Sequence, residues 1–173
     1  ELLRLRGTLD EAAVELATAI RLAPSAVEAH NRLGLVRVAQ GRHGDAAACF
    51  KTAVAVDGGF ADAWHNLGYA LDAQNRLAEA IDAYRRAVAI DARRLDTWCN
   101  IGANRFKIGD NEAAVAAFRA ALGLKADHRP ALIGLSSALD RLGDHESVDV
   151  LARLAATAPD DPAVNGAYAE ALI

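Results

Sequence analysis

Two consecutive 34-residue segments decide the fold. Residues 61–94 read ADAWHNLGYALDAQNRLAEAIDAYRRAVAIDARR, and residues 95–128 read LDTWCNIGANRFKIGDNEAAVAAFRAALGLKADH. In both, a tryptophan, an aliphatic residue with glycine, an alanine, an aromatic residue and a second alanine follow at the same intervals. A turn residue recurs with the same period, at Gly7, Gly41, Asn75, Gly109 and Gly143. A fixed period of this length is typical of stacked repeat units.

Each unit is expected to be a helical hairpin, because apolar residues at helical spacing lie on both sides of the turn residue. Glycine at the end of the first helix favours a left-handed C-cap, and asparagine tolerates the same backbone angles. Acidic residues cluster where the second helix begins, and there the helix dipole favours negative charge. These acids are Asp10, Glu11, Asp45, Glu79, Asp110, Glu112, Asp144 and Glu146.

Seven residues before the turn residue, the first helix carries a minimal side chain: Gly34, Gly68, Gly102 or Ser136. Glycine inside a helix costs about 1 kcal/mol relative to alanine, which implies a packing reason. We expect an alanine of the second helix to pack against each of these positions and an aromatic residue to fill the space beside it. The alanines are Ala46, Ala80 and Ala114, and the aromatic residues are Phe50, Tyr84 and Phe118.

The composition favours an all-helical, soluble protein. Hydrophobic residues make up 53% of the chain but aromatic residues only 5%, and the excess is largely alanine, which favours helix. The net charge of -4, with acids and bases interspersed, provides no basic tract for nucleic acid. No apolar run is long enough to span a membrane. Cys49 and Cys99 occupy non-equivalent positions, so we expect free thiols, which favour a reducing compartment such as the cytoplasm.

The quoted segments resemble the tetratricopeptide repeat. The residues that carry the resemblance are Trp64, Leu67, Gly68, Ala80, Tyr84 and Ala87, and Trp98, Ile101, Gly102, Ala114, Phe118 and Ala121. The resemblance implies an all-α, right-handed superhelical solenoid of antiparallel helix pairs. It implies a single array: a partial repeat at 1–26 with its second helix at 9–22, full repeats at 27–60, 61–94 and 95–128, a degenerate repeat at 129–161, and a first helix or cap at 162–173.

The degenerate repeat departs from the family pattern in its length. Pro159 stands one residue early for the proline that closes a repeat, which indicates a one-residue deletion. The deletion aligns Ser147, rather than Val148, with the small position of the second helix. We expect looser packing there.

In this family the first helices line a concave groove, and partners bind in that groove. Tyr69 and Phe106 are the strongest candidates, because exposed aromatic residues are typical anchors of peptide sites. The helix dipole disfavours a carboxylate at the C-terminal end of a helix, so Asp72 is a candidate for a contact with a partner. It could instead pair with Lys107 across neighbouring repeats. Asp62 and Asp96 are candidates too, but they stand in the first turns of their helices, where the dipole favours an acid without any partner. The full candidate set is Asn66, Asn100, Tyr69, Phe106, His65, Asp72, Lys107, Asp62 and Asp96.

Asn66 and Asn100 occupy equivalent positions of adjacent repeats and could hold an extended peptide backbone with paired amide groups. In this respect the array is similar to the repeats of O-linked N-acetylglucosamine transferases. The ladder has two rungs, since Arg32 and Gly134 stand at the neighbouring positions. The lysine-and-asparagine clamp that binds acidic chaperone C-termini in other members is not matched, and Asp96 would repel a peptide carboxylate.

Enzyme chemistry is not predicted. His65 and Cys99 share a groove row, but equivalent positions on packed helices lie on the order of 10 Å apart. A nucleophile and its base need about 3 Å. The other histidines considered, His30, His43 and His145, are dispersed, so the sequence indicates no metal or cofactor site.

The sequence supports one leading function and two alternatives. The first is a protein-interaction scaffold that binds a peptide segment of a partner protein in the groove. The second is the substrate-recruiting arm of a larger enzyme, such as a peptide glycosyltransferase, and the lack of methionine and the helical pattern of Glu1–Leu5 suggest a piece of a longer protein. The third is self-assembly into a homo-oligomer through repeat ends, which expose apolar faces unless a polar helix caps them.

Overall fold

The structure is a computed structural model that describes residues 2–157 and 161–171. It contains α-helices and, in the described residues, no strand, which confirms the predicted all-α class. Contacts within the chain divide it into two compact units, Glu1–Ala92 and Arg93–Ile173. None of the described helices is long and apolar enough to cross a membrane.

In its described residues, the first unit contains five helices. They are α1 (Leu2–Leu22), α2 (Val27–Ala39), α3 (His43–Val56), α4 (Ala61–Asp72) and α5 (Leu77–Ile90). Each helix packs on the next in the chain, and α2 also contacts α4. The fully buried side chains of this unit include Phe50 and Tyr84.

The second unit repeats the arrangement. It contains α6 (Leu95–Lys107), α7 (Asn111–Leu124), α8 (Arg129–Leu142), α9 (Glu146–Thr157) and α10 (Pro162–Glu170). Each helix again packs on the next, and α6 also contacts α8. Its core includes Phe118, Leu132, Leu135 and Val150. Pro159 and the end of the predicted last segment, 172–173, lie outside the described residues.

Four of the five predicted turn residues have left-handed backbone conformation. The φ angles are 73° at Gly41, 59° at Asn75, 83° at Gly109 and 68° at Gly143. In each case the next residue donates its N–H to the carbonyl five residues earlier, as Arg76 does to Leu71 at 3.0 Å. This bond closes the Schellman motif that satisfies the free carbonyls at a helix C-terminus.

The prediction for Gly7 was wrong. Gly7 lies inside α1, which runs without a break from Leu2 to Leu22, whereas the sequence predicted a helix starting at residue 9. Asp10 and Glu11 therefore lie within a helix and not at its start. Asp10 instead accepts a hydrogen bond from the Gln40 side chain at 2.7 Å and so connects α1 to the end of α2.

The packing reason for the helical glycines also differs from the prediction. A Cβ atom added at Gly34, Gly68 or Gly102 would come within 2.4, 2.6 and 2.7 Å of the rings of Phe50, Tyr84 and Phe118, respectively. The aromatic ring therefore lies directly on the glycine backbone, where the sequence predicted an alanine with the ring beside it. Separations this short leave no room for any side chain.

Replacing Gly68 by alanine should lower the free energy of unfolding by roughly 1 to 3 kcal/mol, because the new methyl group would overlap the Tyr84 ring. Gly44 is the matched control. It lies in α3 with no atom within 4 Å of its added Cβ, so Gly44→Ala should raise stability by up to about 1 kcal/mol. Urea denaturation measures both changes, and a loss of the same size in both variants would contradict the ring-on-glycine contact.

Asn75 tests the left-handed turn. Asn75→Gly should raise the free energy of unfolding by up to about 1 kcal/mol, and Asn75→Ala should lower it by about 1 kcal/mol, because only glycine adopts this conformation without steric cost. Two residues earlier, Ala73 is exposed and right-handed, with φ -59°. At this position, Ala73→Gly should lower the free energy of unfolding, since alanine adopts right-handed conformation without strain. A stabilising Ala73→Gly would show that the conformational explanation is wrong.

Candidate functional site

The first unit exposes two large apolar side chains on neighbouring first helices. Leu35 of α2 is 45% exposed and Tyr69 of α4 is 48% exposed, and they stand 34 residues apart at equivalent positions. The His43 imidazole meets the Tyr69 ring edge-on, with ring centroids 6.4 Å apart. We call the surface formed by Leu35, Tyr69 and His43 the α2–α4 face.

A hydrogen bond between two asparagine side chains connects α2 and α4. Asn66 donates an amide N–H to the carbonyl oxygen of Asn31 at 2.9 Å. Asn31 is buried and Asn66 is half-buried. The bond fixes the orientation of the Asn66 amide while, among the described residues, its second N–H and its carbonyl oxygen keep their hydrogen-bonding capacity.

The remaining candidates of the first unit already have interactions. The His65 ring lies 5.5 Å from that of Tyr84, in a tilted arrangement. Asp62 and Asp72 each interact with another residue. These side chains are therefore less available to a ligand than Leu35 or Tyr69.

In the second unit, Phe106 differs from Tyr69 in its surroundings. It is half-buried against the core, and the Arg141 guanidinium lies 5.0 Å from its ring centroid, within cation–π distance. Its neighbour Lys107 is exposed and donates to the side-chain oxygen of the buried Asn104 at 3.2 Å. Phe106 therefore contributes to packing as well as to the surface. Of the other candidates here, Asn100 is half-buried and Asp96 is exposed.

The imidazole beside Cys99 belongs to His128, a residue that the sequence analysis did not consider. His128 precedes α8, and its Nδ1 atom lies 3.5 Å from the Cys99 sulfur. Burial, and secondarily the nearby Asp96 carboxylate, raise the pKa of Cys99 to about 11. Reactive cysteines have a lowered pKa and form the thiolate. The pKa of Cys99 is shifted in the opposite direction.

Cys49 is likewise a free thiol whose pKa is raised, chiefly by burial. Among the described residues, no group of three or more histidine, cysteine or acidic side chains could hold a metal ion. The side chains described on these helices include exposed apolar groups and hydrogen-bonding groups.

Comparisons with known proteins identify helical repeats in this chain. Family sequence models for the tetratricopeptide repeat match residues 1–47, 32–94 and 95–128. Two crystal structures of MamA superpose with TM-scores of 0.84 and 0.83 at 24% identity; each covers 89% of this chain, and 91% and 85% of MamA. YrrB, described as a TPR protein with an unusual peptide-binding site, has a TM-score of 0.82 at 21% identity, over 96% of this chain and 86% of its own. A search of curated protein sequences gives no match.

The helix pairs, their repeated caps and their exposed first-helix faces define a helical-repeat protein. The chain belongs to the tetratricopeptide repeat family, since the matching models cover most of it.

The raised pKa of Cys99 predicts slow alkylation. In a Cys49→Ser variant at pH 8, iodoacetamide should react with Cys99 at least about tenfold more slowly in the folded than in the urea-unfolded chain. The thiolate fraction falls by roughly 100-fold, and the greater nucleophilicity of a more basic thiolate restores part of the rate. Mass spectrometry over time gives both rates.

Asp96→Asn should speed this alkylation, because the carboxylate is one cause of the raised pKa. Glu112→Gln, an exposed acid of the same unit, serves as the control and should leave the rate unchanged. Equal rates in folded and unfolded protein would contradict the assignment of Cys99 as a half-buried neutral thiol.

Proposed function

We propose that this chain is a protein-interaction scaffold that binds a peptide segment of a partner protein on the α2–α4 face. The observation that carries the proposal is the exposure of Leu35 and Tyr69, two large apolar side chains at equivalent positions of adjacent helices. Tyrosine is one of the residues that most often supply large shares of the binding energy at protein interfaces, and leucine adds apolar area that a partner can bury. Tetratricopeptide repeat proteins are generally scaffolds without catalytic activity.

Asn66 gives this face a polar contact next to its apolar ones. Its amide, held by Asn31, keeps one donor and one acceptor for a peptide backbone. A peptide group needs both, because a backbone N–H or C=O that is buried without a partner costs free energy. The face therefore suits an extended segment that places one apolar side chain near Leu35 and another near Tyr69.

The second unit is proposed to add contacts of its own through the surface of α6. Asn100 and Phe106 are half-buried, and Asp96 and Lys107 are exposed on the same helix. We expect Phe106 to be the weaker anchor, because part of its ring is already covered by the core and by Arg141. The likeness to YrrB supports the peptide-binding proposal, since YrrB is described as having a peptide-binding site.

The double variant Leu35→Ala, Tyr69→Ala tests the α2–α4 face. Peptides selected from a displayed library on the unaltered protein should bind this variant about 10- to 100-fold more weakly, since each truncation removes an exposed apolar anchor. Fluorescence polarisation of a labelled peptide measures the affinity. The melting temperature should stay nearly constant, because both side chains are about half exposed.

The matched control is Val56→Ala with Ile90→Ala, which removes apolar groups of similar exposure, 45% and 43%, from the ends of the second helices of the same unit. This pair should keep full affinity. Equal losses in both double variants, or a fall in melting temperature that accounts for the loss, would rule out the α2–α4 face as the binding surface.

A further inference from the structure

A cavity of about 600 Å³ lies in the second unit, between α8, α9 and α10. Ser136 of α8, Ser147 and Leu151 of α9, and Ala167 of α10 line it. Its volume is in the range of sites that bind small molecules or single side chains of a partner. None of its lining residues belongs to the α2–α4 face.

The cavity stands where the preceding repeat holds an aromatic ring. In that repeat the Phe118 ring lies between Gly102 of α6 and Gly134 of α8, and an added Cβ would come within 2.7 and 2.2 Å of it. Ser136 stands 34 residues after Gly102. Past the one-residue deletion the offset is 33, so Leu151 stands at the position of Phe118 and Ala167 at the position of Gly134. Leu151 thus replaces the aromatic residue, and Ser136 and Ala167 replace the glycines that face it.

Burial supports this alignment. Ser147 is buried, as is Ala114 at the matching position of α7, whereas Val148 is half-buried, in agreement with the one-residue deletion. Leu151 is half-buried, in contrast to Phe118, which is 4% exposed. The shorter side chain leaves open the space that a ring fills one repeat earlier. The space beside Leu151 is therefore large enough to take an aromatic ring.

Two carboxylates give the cavity a negative potential. Asp140 and Glu170 line it near the C-terminal ends of α8 and α10, where the helix dipoles are also negative. Within the described part of the chain neither forms an ion pair, whereas Asp161, also at the cavity, pairs with Arg129. A cationic group of a partner would be stabilised at this place.

We propose that this cavity binds an apolar side chain of a partner peptide, aromatic in preference, with a lysine or arginine next to it in the peptide sequence. The ring would occupy the space beside Leu151, and the cation would lie near Asp140 and Glu170. The proposal concerns a second contact site, independent of the α2–α4 face.

Three short peptides, each acetylated and amidated at its ends, test the proposal on the full chain. They carry Phe-Lys, Phe-Glu or Ala-Lys between two glycines, and binding is followed by NMR of the methyl groups of Leu151, Leu154 and Val164, which line the cavity. The Phe-Lys peptide should shift these signals. The Ala-Lys peptide should bind at least about tenfold more weakly because it lacks the buried ring. The Phe-Glu peptide should bind up to about tenfold more weakly, because its charge is repelled.

Leu151→Phe should abolish the peptide-induced shifts of Leu154 and Val164 while the protein stays folded. The new phenylalanine ring would occupy the space proposed for the ring of the peptide. Leu124→Phe, at the exposed end of α7, adds the same ring elsewhere in the unit and should leave binding unchanged. The variant lacking Leu35 and Tyr69 should also bind normally, so failure at one site is distinguishable from failure at the other.

Should Leu151→Phe not fold, Asp140→Asn with Glu170→Gln provides the decisive variant, since both carboxylates are exposed. It should bind the Phe-Lys and Phe-Glu peptides equally. Absence of shifts with the Phe-Lys peptide, equal binding of the Ala-Lys peptide, or an unchanged charge preference in the carboxylate variant would overturn the proposal.

Discussion

An aromatic ring that lies directly on the backbone of a glycine in the facing helix holds each full helix pair together. Phe50, Tyr84 and Phe118 make this contact with Gly34, Gly68 and Gly102, at separations that admit no Cβ atom. The ring fixes how closely the two helices approach and also how they are rotated about their axes. A side chain larger than hydrogen would push the helices apart, and the buried alanines around the ring would lose their contacts.

The same contact orients the face that is proposed to bind a partner. Gly68 and Tyr69 are neighbours, and successive residues of an α-helix point about 100° apart. With Gly68 held against the Tyr84 ring, Tyr69 is directed to the surface, and the equivalent pair Gly34 and Leu35 behaves in the same way. The core thus determines which side chains are exposed on the proposed binding face, and Leu35 or Tyr69 can vary without loss of the ring-on-glycine contact.

The sequence predicted the helix pairs and four of the five left-handed caps because a 34-residue period records the repeating geometry. It failed at Gly7 because a helical glycine costs only about 1 kcal/mol, which the rest of the long helix α1 offsets. The site was less predictable. Rows of equivalent positions in the repeats could not predict the bond from Asn66 to Asn31, because the position equivalent to Asn66 is that of Arg32. They also missed His128, which reaches Cys99 from the turn before α8.

The cavity beside Leu151 shows why a repeat protein can carry such a defect. In a single globular core, replacing a buried ring by leucine disturbs packing on every side. In a repeat array each unit contacts only its neighbours, so stability is close to a sum of local terms. The space opened between α8, α9 and α10 leaves Phe118 buried one repeat earlier. The loss of packing therefore stays local, and the degenerate repeat can keep an open cavity without loss of the fold.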